Sequence, residues 1–319
     1  MIILTGGAGF IGSCFLAELN AAGREDVLIV DSLRSGSKWK NLVNRKYIDI
    51  VSKGDFLDLI EGGELAGVDA VVHMGACSST TETNADYLYE NNYRYSVMVA
   101  EFAMKHEARF IYASSAATYG SGSNGYSDKE EDLRPLNMYG YSKHLFDCWV
   151  RSEGLDEHCV GLKFFNVFGP NEYHKGSMAS LVSKAVPQIH STGKVQLFKS
   201  TSDQFADGDQ KRDFIYVKDV CGVMRTLLDR KDVNGILNLG TGVARSWNDV
   251  MRAVFQAMGK PEAIEYVEMP ADLRNQYQNF TQADMSTFAA KLPDVNFTSL
   301  EDSIADYVKG YLLTEWPYI

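Results

Sequence analysis

The chain has 319 residues, with 31 Lys and Arg against 42 Asp and Glu, a formal net charge of 31 − 42 = −11. So acidic a chain is a poor nucleic-acid scaffold, and any phosphate site must be built locally; the length suits one large α/β domain plus a smaller one. The five cysteines, Cys14, Cys77, Cys148, Cys159 and Cys221, contain no C-x-x-C pair, so they read as reduced thiols in a cytoplasmic protein rather than a zinc or disulfide framework. No apolar run reaches the ~18 residues of a membrane span, and a strand that starts at Met1 leaves no room for a signal peptide. The expectation is a soluble protein with neither membrane nor nucleic acid as partner.

Met1-Ile2-Ile3-Leu4-Thr5 is an apolar strand pattern that runs into Gly6-Gly7-Ala8-Gly9-Phe10-Ile11-Gly12, after which Ile11, Phe15 and Leu19 recur at helical spacing. Strand, glycine loop and helix in that order are the context of a dinucleotide site. Gly6, Gly9 and Gly12 let the backbone turn sharply and approach a pyrophosphate, which then rests on the N–H groups of the helix start. The next strand, 27–30, ends in Asp31, 19 positions beyond Gly12 (31 − 12 = 19), where a carboxylate can accept from the adenosine ribose. A tight strand–helix turn with no ligand is the plainer alternative. Further strand runs cover 68–73, 110–114 and 161–165, with a long helical pattern over 84–106. After Asn166 the pattern breaks into short strands (195–198, 213–217, 236–239) and helices (217–229, 246–258). The expected fold class is α/β: a Rossmann-type doubly wound parallel sheet over 1–166 and a smaller mixed α/β substrate-binding lobe over 167–319. Segments near 213–240 return to the sheet, and ligands sit at the strand C-termini.

The chemistry enters at Tyr139-Gly140-Tyr141-Ser142-Lys143. Tyr139 and Lys143 are four apart and face the same way on a helix. A lysine cation beside a phenol lowers its pKa and makes an acid or base usable near neutral pH. Ser115 closes the 110–114 strand region, where its hydroxyl can share a proton with Tyr139 and place a substrate oxygen. Tyr and Lys at this spacing also occur on exposed helices without function; the glycine loop, Asp31 and Ser115 in the right order favour catalysis.

The segments 75–82 (Gly-Ala-Cys-Ser-Ser-Thr-Thr-Glu), 113–120, 174–180 (His-Lys-Gly-Ser-Met-Ala-Ser), 211–214 and 280–284, with Tyr139 and Lys143, resemble the extended short-chain dehydrogenase/reductase family of nucleotide-sugar epimerases and dehydratases over nearly the whole chain. The Cys77 and Lys175 segments are similar to the branch that inverts C6 of an ADP-linked heptose. The resemblance implies that Phe10, Ile11, Asp31, Ser32, Lys38, Lys53, Met74, Gly75, Ala76, Cys77, Ser78, Asn91, Lys143, Val167 and Lys175 contact the cofactor. It implies that Tyr139 and Lys175 exchange protons, and that Asn166, Ser177, Lys184, Phe198, Lys199, Ser200, Thr201, Arg212 and Tyr277 hold the substrate. It further implies NADP as cofactor and a homo-oligomer, in the form of a pentamer. The sequence departs from the family pattern at Lys163-Phe164-Phe165-Asn166-Val167-Phe168-Gly169-Pro170, where Arg-Tyr-Phe-Asn-Val-Tyr-Gly-Pro is usual, and at Lys184 and Met74.

Independently of the resemblance, inverting an unactivated carbinol carbon by oxidation and re-reduction moves the substrate oxygen if the ketone turns over. One acid/base cannot serve both positions, and Lys175 on its glycine-flanked loop is the second candidate; a solvated lysine is the bland alternative. His174 reads as structural or surface, and Cys77 as packing beside the cofactor, since only His73 stands near enough in sequence to activate it. Arg212 suits a diphosphate or an ordinary ion pair with Asp213. Ser115-Ala116-Ala117 lacks the carboxylates a dehydratase needs. A UDP-hexose 4-epimerase remains the alternative enzyme and a dinucleotide-sensing regulator the non-catalytic one. Asp31 by itself favours NAD; Arg34, Lys38 and Lys53 can neutralise the 2′-phosphate of NADP.

Overall fold

β1 (Ile2–Thr5) is buried over its whole length because it lies mid-sheet, flanked on both sides by parallel neighbours. The computed structural model describes residues 1–270 and 278–319. Around β1 run β2 (Val27–Val30), β3 (Asp49–Val51), β4 (Ala70–His73), β5 (Arg109–Ser115), β6 (Cys159–Phe164) and β10 (Gly235–Leu239), in the order β3-β2-β1-β4-β5-β6-β10, all parallel. The chain leaves β1 for β2 and β3 on one side and returns to β4 on the other. The crevice beyond the C-termini of β1 and β4 is therefore the switch point at which such sheets bind ligands.

The near-continuous apolar strands require cover on both faces. On one face α1 (Phe10–Ala21) packs against α7 (Val217–Asp229), joining a core that includes Leu16, Val220 and Met224. On the other, α2 (Lys53–Gly62), α4 (Tyr95–Lys105) and α5 (Met138–Ser152) bury Phe56, Phe102 and Phe146 against Phe110 and Tyr112. The 84–106 pattern predicts one helix; the structure divides it into α3 (Ala85–Leu88), a wider π turn over Tyr89–Arg94, and α4.

β10 arrives late in the chain and is received by Arg109. This buried guanidinium donates to the Leu227, Arg230 and Val233 carbonyls and to Asn234 Oδ1, tying the end of α7 and the following turn to the start of β5. The 213–217 strand lies elsewhere. It belongs to β9 (Lys211–Tyr216), which pairs parallel with β7 (Asn166–Phe168) and antiparallel with β11 (Ala244–Ser246). A separate parallel pair, β8 (Val195–Phe198) and β12 (Ile264–Val267), follows α6 (Leu181–Thr192) and α8 (Trp247–Met258) respectively. Ser246 heads α8 with a reciprocal Asp249 box. Among the described residues no helix is long and apolar enough to cross a membrane.

Candidate active site

The loop after β1 is shaped by backbone proximity. A Cβ on Gly12 would lie 2.2 Å from the Gly6 carbonyl oxygen, and Gly6, at φ +69°, would put one 2.7 Å from the Gly75 nitrogen. Only glycine permits that approach. Gly9 caps α1 without a side chain, so the first-turn N–H groups of the helix face the crevice side of the loop. Asp31 is committed on both oxygens: Oδ2 accepts the Ala8 N–H at 2.9 Å, and Oδ1 accepts from the Ser32 N–H and the Lys38 ammonium. Lys53 stands 4.3 Å from the Tyr95 ring centroid and 3.3 Å from Asn91 Oδ1; burial pulls its pKa down.

The opposite wall, Gly75 to Ser78, is held from behind. Thr5 Oγ1 accepts the Gly75 N–H at 3.0 Å and contacts His73 Nδ1 at 2.7 Å, while His73 Nε2 meets Ser96 Oγ at 2.8 Å. Burial and the Lys143 and Lys53 charges drive His73 down to about 3, so it is neutral. With both ring nitrogens engaged, His73 is no base for Cys77. Asn92, within the π turn, brackets Cys77 through the N–H (2.8 Å) and carbonyl (2.9 Å) and also donates to Ser142 Oγ at 3.1 Å. Sequence reasoning missed Asn92; the adjacent asparagines 91–92 inside a helical run were its one signal.

Asn137 caps α5 by accepting the Gly140 N–H at 2.8 Å, which fixes the first turn and places Tyr139 on it. The phenol and the Ser115 hydroxyl line the same cleft. The spacing predicts that Lys143 lowers the Tyr139 pKa, and the structure corrects this. Lys143 Nζ donates to the Ala113 carbonyl at 2.9 Å, and burial raises the phenol, with the nearby Ser115 hydroxyl offsetting part of the rise. Burial also brings Lys143 down to about 8, against the opposing pull of Asp147 and Cys77.

Lys175 sits in the short 3-10 segment Tyr173–Met178, kinked at Gly176 with φ +55°. Its ammonium is 5.4 Å from the Phe10 ring centroid, and burial holds its pKa below the usual lysine range while Glu172 pulls it up. Glu172 is buried and gathers the Gly169 and Ser180 N–H groups and the Ser180 and Tyr307 hydroxyls; burial still outweighs these donors and raises its pKa. His174 contacts Asn41, itself bonded to the Ala8 and Asn171 carbonyls. Burial and the Lys38 and Lys175 charges lower His174 to about 4.

One cleft of about 1380 Å³ joins these parts. Its lining contains Ser115, Tyr139 and every residue named above for the cofactor, together with Asn166, Lys184 and Phe198. Ser177 and Thr201 are exposed outside this lining, and Lys184 Nζ donates to the Ser177 carbonyl at 2.8 Å. Lys199 pairs with Glu268 at 2.9 Å, and Ser200 donates its N–H to Asp207 at 2.8 Å. Arg212 is buried behind the wall, bonded to the Lys211 and Gln278 carbonyls and 5.9 Å from the Trp247 ring centroid; Gln278 and Trp247 themselves line the cleft. Its neighbour Asp213 binds Thr241, Gly242 and Ala283 rather than the Arg212 guanidinium. Tyr277 lies outside the described residues.

The profile of the NAD dependent epimerase/dehydratase family matches residues 2–240. The chain belongs to the NAD dependent epimerase/dehydratase family. The matched span covers the whole seven-stranded sheet, ending just past β10, and the glycine loop and Asp31 fit the dinucleotide on which this epimerase/dehydratase family depends. The chain is 54% identical to ADP-L-glycero-D-manno-heptose-6-epimerase of Nitratidesulfovibrio vulgaris over 323 aligned residues, and 45% identical to the protein of that name from Fusobacterium nucleatum over 336; both alignments span 100% of each chain. The crystal structure of the Helicobacter pylori ADP-L-glycero-D-manno-heptose-6-epimerase superposes with a TM-score of 0.83 at 30% identity, covering 97% of this chain and 95% of that one.

Proposed function

We propose that this chain converts ADP-D-glycero-β-D-manno-heptose to ADP-L-glycero-β-D-manno-heptose, an isomerase step towards lipopolysaccharide inner core, with NADP as its resident dinucleotide. The name carried by full-length relatives supports the substrate. The observation that carries the mechanism is a second titratable group: Lys175, its pKa lowered by burial, faces the same cleft as the Tyr139–Ser115 pair but from a different element.

A bound nicotinamide supplies reversible hydride acceptance. Tyr139 takes the proton of the C6 hydroxyl as the carbon becomes a ketone, and Ser115 shares that hydrogen bond. C6 is exocyclic, so rotation about one bond presents its other face and carries the oxygen away from Tyr139. Lys175 protonates the oxygen at its new place. Each residue ends one proton out of balance, and exchange with solvent restores both, so the substrate is inverted with no net redox change. Support for NADP comes from Asp31: a carboxylate already satisfied by Ala8, Ser32 and Lys38 presents little free charge against a 2′-phosphate.

Lys175→Met is the test. Inversion of the ADP-heptose should stop while a one-face dismutation of an ADP-linked aldehyde sugar survives through Tyr139. Inversion at the parent rate overturns the two-base mechanism, and preferential turnover of UDP-galactose returns the chain to the hexose 4-epimerases.

A further inference from the structure

Behind the Tyr139–Lys143 stripe lies a charged pair that no part of the reaction above uses. Asp147 is eight residues after Tyr139 and four after Lys143, on the same helical row of α5. Its Oδ2 meets Lys163 Nζ at 2.8 Å, with both side chains only 1% exposed. The carboxylate has two further donors: Ser114 Oγ at 2.7 Å and Tyr112 OH at 3.0 Å, both on β5. Lys163, on β6, is equally saturated, donating to Thr118 Oγ1 at 2.7 Å and standing 5.1 Å from the Tyr119 ring centroid. The Tyr119 hydroxyl in turn donates to Asn238 on β10 at 2.7 Å. A pair so enclosed is weak support for stability, since apolar residues of similar size often serve as well there. What it does supply is a fixed angle and depth for α5 relative to the ends of β5 and β6.

We propose that Asp147 and Lys163 are positioning residues for catalysis: they lock α5 against β5 and β6, so that Tyr139 meets Ser115 and Lys143 keeps its place and its charge. The groups facing Lys143 are Tyr139 and Asp147 on its own helix, Cys77 and His73 from the β4 side, and the Ala113 carbonyl on β5. His73 is neutral, which leaves Asp147 as the carboxylate among them. Lys163 stands where the family pattern has arginine. A lysine has three donors for the three partners found, two oxygens and a ring face, so the site is complete with it.

The inference rests on the catalytic assignment above, and its test separates the two. Asp147→Asn, Ser114→Ala and Lys163→Arg are compared with the parent chain for kcat, KM and the pH dependence of NADP⁺ binding measured without sugar substrate. Asp147→Asn is expected to cut kcat by about tenfold or more at nearly unchanged KM, and to move the alkaline limb of NADP⁺ binding to lower pH because Lys143 loses its anionic neighbour. Ser114→Ala is expected to lower kcat less and leave that limb in place, and Lys163→Arg to retain both. A folded Asp147→Asn with parental kcat and parental limb overturns the proposal. If Asp147→Asn does not fold, Ser114→Ala decides: a parental kcat overturns the proposal and a reduced kcat at constant KM upholds it. If the parent chain fails to invert the heptose, the functional reading falls while the NADP⁺-binding limb still decides the role of Asp147.

Discussion

Glu172 grips Ser180 twice, its Oε2 accepting the Ser180 N–H and its Oε1 the Ser180 hydroxyl, each at 2.6 Å. That pair of hydrogen bonds closes the loop bearing Lys175 onto the start of α6, and the Tyr307 hydroxyl braces it from the C-terminal helix Leu300–Tyr307 at 3.0 Å. Glu172→Gln leaves one donor group facing donors, so unfolding free energy should fall by about 1–3 kcal/mol. The alkaline limb of the epimerase pH profile should also move down, because Lys175 loses the carboxylate that raises its pKa. Denaturant titration and a pH–rate series check both; an unchanged limb would detach Glu172 from Lys175.

Tyr139→Phe keeps the ring and removes the proton-transfer group. Turnover should drop by about 10²–10⁴, while the nucleotide released on denaturation stays at the parental amount. Near-parental turnover would remove Tyr139 from its role.

Lys38→Ala separates the two nucleotides. Losing a charged hydrogen bond to the 2′-phosphate should weaken NADP by about 1.5–3 kcal/mol, with less effect on NAD. Equal losses in direct titration would show that Lys38 serves only Asp31.

Acid should destabilise the fold through its neutral histidines. His73 has a folded pKa of about 3 against an ordinary 6.5, so its contribution is complete above pH 6.5 and is lost as pH falls from 6.5 towards 3. The slope is about 1.4 kcal/mol per pH unit for this one group. His174, partly exposed, adds a smaller share in the same direction. Unfolding curves at pH 7 and pH 5 should differ accordingly, and His73→Asn should flatten the difference.

The readable parts of this molecule carry their signal within a few residues. β1, the glycine loop, Asp31 and the Tyr139–Lys143 helix each follow from spacing and residue type alone. β3, β7 and β11 have three residues each, too few for alternation to register. The π turn places Asn92 behind Cys77 without altering the apolar rhythm of 84–106. Glu172 and Asp147 were silent because their meaning lies in distant partners: Tyr307 stands 135 positions from Glu172, and Tyr112 stands 35 from Asp147. The direction of the Tyr139 shift was hidden for a related reason, since spacing shows which side chains are neighbours but not how deeply they are buried.

The place of β10 has a bearing on how the protein is made. Synthesis runs from the N-terminus, so β6 leaves the ribosome with a bare edge, and the strand that covers it follows only after β7, β8, β9 and α7. An open edge in a nascent chain is a template for pairing with its neighbours on a polysome. Arg109, at the foot of β5, binds the carbonyls of Leu227, Arg230 and Val233 and so fixes the turn that leads into that covering strand. Messages truncated before Gly235 should accordingly yield inclusion bodies rather than a smaller folded domain.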